Sequence, residues 1–197
     1  MQIENHKEEV PFSYYAELFA KADPAEMERR TGESFDGEAF SVTLLGIKYR
    51  IAYPSAVITP QAPLPKQTFL LRYLLEGKQV AATGNFLTFR EMPWGELYIK
   101  PYTGRVLTRA AFTFGTRLPA FEAAAEKLGG KKLPHGDAGY EFCFIGDYTV
   151  QILVWAGDDE FPPNAQVLYS DNFSQGFAPE DRVVAGDILI SHIKAEM

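Results

Sequence analysis

The residues with the most chemistry to offer sit in one run, Trp155-Ala156-Gly157-Asp158-Asp159-Glu160-Phe161-Pro162, where an apolar strand-like segment passes directly into three acids and an aromatic–proline pair. Carboxylates at a strand end can hold a hard cation such as Mg2+ or Ca2+, or act as general acid and base where burial raises a pKa. Asp158, Asp159 and Glu160 are the metal set to expect, joined by Asp171 if the turn Tyr169-Ser170-Asp171-Asn172 comes back beside them. Strand register decides that, and register is open at this level. The competing expectation is a turn in which Asp158 and Asp159 accept backbone N–H groups and Glu160 faces solvent.

The remaining candidates are scattered. His6, His135 and His192 lie far apart, and a surface or capping role is the reading for each. Cys143 stands inside YEFCFIG, an apolar run in which a cysteine is expected to be buried and inert. Trp94, in the turn Met92 to Gly95, is either an exposed aromatic for stacking a ligand or the cover of a small satellite core. Lys131-Lys132 after Gly129-Gly130 lacks the flanking residues of a phosphate loop and reads as a helix cap with a solvated turn. The sequence contains no GxGxxG, GxxxxGK[ST], HExxH, GxSxG or CxxC.

These residues need elements to position them. Phe12, Tyr15, Ala16, Phe19 and Ala22 recur at helical spacing, and Asp23-Pro24-Ala25-Glu26 has the cap, proline and acid of a helix start. FSVTLLGIKYRIAY, from Phe40, predicts two strands about Gly46, and the proline-rich stretch from Pro54 to Pro65 a loop with one short strand near Val57. KQTFLLRYLLEG predicts a buried helix ending at Gly77. Phe86 to Glu91 and Glu96 to Lys100 suggest a second hairpin around Trp94, and Thr103 to Phe114 and Leu118 to Leu128 two helices. Strands come next at Tyr140 to Ile145, Val150 to Ala156 and Ala165 to Tyr169, then a helix from Pro179. Strand pairs separated by helical blocks predict an α+β fold with a mostly antiparallel sheet built from hairpins and several packing helices. One domain over 1–197 is expected, with 1–10 flexible.

Composition narrows the classes. Nineteen Lys and Arg against 26 Asp and Glu make a net charge of −7, which argues against a general nucleic-acid surface. One cysteine excludes an internal disulfide and any iron–sulfur cluster held by this chain alone. The polar start MQIENHKEEV lacks the basic and apolar regions of a signal peptide, and no apolar run is long enough to span a bilayer, so a cytoplasmic protein off the membrane is expected.

RYLLEG, FLTFREMPWGELYIKP, the LGG after the paired helices, and above all VWAGDDEFPPNAQVLYSDN with its PED-initiated helix make the chain resemble family 3786 of domains of unknown function. Trp155, Gly157, Asp158, Glu160, Phe161 and Pro162 carry the likeness. The resemblance implies an origin among anaerobic bacteria and archaea and relatives described as iron–sulfur-associated, a label that does not transfer to a chain with only Cys143. Three functions stay open. The favoured one is a binding or accessory domain of anaerobic metabolism that takes a small molecule, cofactor or protein partner. The second is a divalent-metal-dependent enzyme using Asp158, Asp159, Glu160 and Asp171 or His135. The third is a structural interaction module, which requires a large exposed apolar patch. Ligand, reaction and oligomeric state are not legible.

Overall fold

The computed structural model describes residues 6–197, with side chains from Pro11 onward. Of the segment expected to be flexible, 1–5 lies outside the described residues, and His6 opens the first helix, its side chain likewise outside them. The helices are α1 (His6–Lys21), α2 (Pro24–Thr31), α3 (Leu64–Glu76), α4 (Gly95–Tyr102), α5 (Arg109–Phe114), α6 (Leu118–Lys127), α7 (Phe173–Gly176) and α8 (Pro179–Lys194). The strands are β1 (Ser34–Phe35), β2 (Ala39–Leu44), β3 (Ile47–Ala52), β4 (Ile58–Thr59), β5 (Phe86–Thr88), β6 (Lys131–Leu133), β7 (Ala138–Ile145), β8 (Tyr148–Trp155) and β9 (Asn164–Ser170). They form one antiparallel sheet in the order β4-β3-β2-β7-β8-β9-β5, with β1 beside β2 and β6 beside β7. The α+β architecture is the one expected from the sequence.

Alternation along the strands explains why the helices cover one face. Tyr140, Phe142 and Phe144 of β7, Val150, Ile152 and Val154 of β8, and Phe40, Val42 and Leu44 of β2 are all buried. Aromatic contacts dock the helices on this face: Phe121 of α6 meets Tyr140 edge-on, and Phe69 of α3 meets Phe144. Cys143 occupies the opposite face and is exposed, not buried as its apolar neighbours suggested, because the two-residue period turns it away from Phe142 and Phe144. Between β2 and β7 the sheet is joined by a single bridged pair, Leu44 with Ile145.

The second hairpin expected around Trp94 is not formed. Only β5 is a strand, leading into a 3-10 turn (Phe89–Glu91), whereas Glu96 to Lys100 lie in α4. Three apolar or aromatic residues between two charges suit either state, and here the helix continues through a π-helical turn (Thr103–Thr108) into α5. Pro101 cannot donate to the preceding turn, and the wider turn beyond it keeps Tyr102, Val106 and Ala110, spaced by four, on the buried side.

Candidate ligand cleft

The acidic run forms a self-contained turn between β8 and β9. Asp158 Oδ1 accepts the N–H groups of Glu160 at 2.9 Å and Phe161 at 2.7 Å, while the Asp158 N–H donates to the Phe161 carbonyl. These donors hold the Asp158 carboxyl below its ordinary range. Trp155 is half-buried, and Gly157, Asp158, Asp159, Glu160 and Phe161 are exposed. The turn leans on the α5–α6 corner so closely that a side chain at Gly115 would meet Pro163 at 2.6 Å and the Trp155 carbonyl at 2.8 Å. Asp171 is not brought to this cluster. It comes after β9 at the far end of the β8–β9 hairpin, ~20 Å away by strand rise, where its carboxylate accepts from the backbone and hydroxyl of Thr83. Among the described residues no group of three His, Cys, Asp or Glu is placed to hold a metal ion. His135 is exposed in its turn and His192 half-buried on α8.

Trp94 lies elsewhere, at the mouth of a cleft of about 370 Å3 between the end of α3, the turn before α4, α7 and the start of α8. Its indole is 68% exposed while Met92, two residues earlier, is buried, so Trp94 covers no satellite core. The Trp94 backbone is left-handed, φ +66°, a conformation that is costly for a bulky residue and is retained where its surroundings over-determine it. Gly95 contributes to that restraint, because a side chain there would collide with the Phe89 carbonyl.

The floor of the cleft is charged and buried. Arg182 is only 3% exposed, and its guanidinium donates to three carbonyls from three segments: Phe177 at 2.9 Å, Pro93 at 2.8 Å and Ser174 at 3.1 Å. One side chain thereby ties the Trp94 turn and α7 to α8. Beside it Arg72 Nε stands 2.9 Å from Asp181 Oδ1, without the alignment of a straight hydrogen bond, and the Arg72 guanidinium lies 5.0 Å over the Tyr15 ring. No side chain caps the N-terminus of α8, whose first residues line the cleft. Sequence reading found Trp94 but not Arg72, Asp181 or Arg182. The signal was available in α8: Asp181 lies in register with buried Ala185 and Ile188, and Arg182 with Gly186, Leu189 and Ile193.

Burial pushes the Asp181 carboxyl up to about 6, against the pull of Arg72 and with help from Glu76 and Glu180. The folded protein therefore binds this proton more tightly than the unfolded chain, whose value is 3.8. Its stabilising contribution is complete below pH ~4 and is lost as pH rises through about 6. Relative to Asp181→Asn, the wild type is expected to lose on the order of 2–3 kcal/mol between pH 4 and 7. Urea denaturation of both proteins at each pH checks this, and parallel pH dependences would refute it.

The family model described as a domain of unknown function, DUF3786, matches residues 23–192. No curated protein and no solved structure matches the chain. No helix among the described residues is long and apolar enough to cross a membrane. Because the match runs from the N-cap of α2 to the last turn of α8, and so takes in the whole sheet and every residue of the cleft, the chain belongs to the DUF3786 family.

Proposed function

We propose that this chain is a non-catalytic binding domain whose Trp94 cleft takes a small planar organic anion. The observation that carries the reading is an exposed indole, held in a costly backbone conformation, over a cleft lined by three cations (Arg72, Lys78 and Arg182) against two carboxylates (Glu76 and Asp181). In a chain of net charge −7 a local excess of positive charge favours a ligand with one negative charge. The indole face offers a planar group a stacking surface, and the cleft falls in the size range of small-molecule sites. The reading extends to a cytoplasmic accessory role in anaerobic metabolism, for which the family resemblance is the support.

Trp94→Gly separates function from stability. Glycine adopts the left-handed conformation without strain, and little burial is lost, so the variant is expected to be more stable by about 1 kcal/mol. Calorimetric titration with 1-naphthoate should show saturable binding to the wild type and at least tenfold weaker binding to Trp94→Gly, with Trp94→Phe in between. Equal binding by the glycine variant, or none by the wild type, would remove the proposal.

A further inference from the structure

A second concavity, of about 430 Å3, lies at the other end of α8, between that helix, β3 and the proline-rich segment leading into α3. Much of its wall is apolar, with Tyr49, Pro63, Pro65, Val184 and Ile188 contributing. Besides the Tyr49 phenol, four ionisable groups face it: Lys66, Asp187, His192 and Glu196.

Their commitments differ. Asp187 is held by Arg109 and, at 3.2 Å, by Arg105, and Glu196 lies 2.6 Å from the Lys127 ammonium. Both carboxylates are therefore satisfied by cations. His192 is half-buried with its Nε2 enclosed and without a hydrogen-bond partner. Burial and the nearby Lys66 lower its pKa, opposed by Glu196 and the Leu45 backbone. Lys66 is the exception. It is half-buried in the first turn of α3, has no ion pair among the described residues, and its pKa is lowered by burial with no carboxylate acting to raise it.

A partly desolvated ammonium without a counter-ion is an incomplete interaction, and an arriving carboxylate completes it. The rest of the wall chooses among anions. A phosphate or nucleotide would bring two or more negative charges and a polar body against Asp187, Glu196 and an apolar surface. A monocarboxylate with a hydrocarbon chain matches one free cation in an apolar setting. A neighbouring concavity of about 430 Å3 shares Pro65 and Val184 with this one, but its wall sets Tyr15 and Phe69 beside Arg72, Arg105 and Asp181, so only a short extension of the chain stays in apolar surroundings.

We propose that this concavity binds an aliphatic monocarboxylic acid, with Lys66 taking the carboxylate and the hydrocarbon chain lying on Val184, Ile188 and Pro65. The concavity around Lys66 shares no lining residue with the Trp94 cleft, and the proposal does not require that cleft to bind anything.

Titration of the full chain with octanoate, with 1-octanol as the uncharged control, tests the assignment. Expected are saturable octanoate binding, at least tenfold weakening in Lys66→Met, recovery in Lys66→Arg, and no difference in octanol affinity between wild type and Lys66→Met. Lengthening the acid should tighten binding by up to ~fourfold per methylene while the chain remains buried. Imidazole proton resonances of His192 should move on octanoate addition and those of His135 should not. Unchanged octanoate affinity in Lys66→Met, loss of octanoate binding in Trp94→Gly instead, or no saturable binding to the wild type would each overturn the proposal.

Discussion

Arg182→Met is expected to destabilise the protein by on the order of 3–5 kcal/mol, measured as a lowered urea midpoint at pH 7. Methionine fills much of the volume of the arginine stem but donates nothing, so the carbonyls of Phe177, Pro93 and Ser174 lose their shared donor. Each carbonyl left dry costs ~1–3 kcal/mol, and partial hydration through the cleft recovers some of it. Lysine at this position can reach fewer of the three and should restore only part of the loss, since an ammonium lacks the planar fork. The variant should also weaken 1-naphthoate binding although it alters no residue that stacks on the ligand, because it removes one of the three cations lining the cleft and frees Pro93, which fixes the turn that presents Trp94. A loss below about 1 kcal/mol would mean that α7 and the Trp94 turn are held by something other than Arg182.

Phe173→Ala should cost a similar amount, ~3–5 kcal/mol, through a different mechanism. Phe173 is fully buried, and its ring contacts Phe144, Tyr148, Tyr169 and Phe177 with centroid separations of 5.0–5.8 Å. These rings come from β7, β8, β9 and the segment leading into α8, so they cannot all close on the cavity that the alanine would leave. Phe161→Ala is the matched control. Although Phe161 belongs to the acidic run, its ring is 67% exposed and its loss should change stability by less than about 0.5 kcal/mol. Equal effects of the two substitutions would contradict this packing of Phe173.

The fold was largely legible because its signals are local. The cap at Asp23, the turn at Gly46 and the apolar runs of β7, β8 and β9 each announce an element within a few residues. Legibility failed at Glu96 to Lys100, where a short apolar run between two charges is absorbed into a helix that continues through Thr103–Thr108, and at Cys143, where an apolar neighbourhood hid an outward-facing position. The candidate site was less legible. Trp94 stood out as an aromatic in a turn, but Arg72 and Asp181 are more than half the chain apart, and nothing local marks them as partners. The acidic run drew attention because its residue types cluster, yet Asp158 turns its Oδ1 onto the backbone of its own turn. Composition detects residue types, whereas a site requires convergence, which here is made by α3 and α8.

The single bridge between Leu44 and Ile145 also bears on the order in which the molecule assembles. On one side of this seam β2 pairs with β3 across a turn of two residues, and on the other β7 pairs with β8 almost as locally. Each hairpin closes a short loop and recovers many hydrogen bonds for that small loss of chain entropy. Joining them means closing about a hundred residues of intervening chain for one bridged pair, so the strands themselves give little reward for meeting. Either hairpin can therefore close without the other, and the seam between them rests on side-chain packing, such as that of Phe69 of α3 against Phe144, more than on ladder hydrogen bonds.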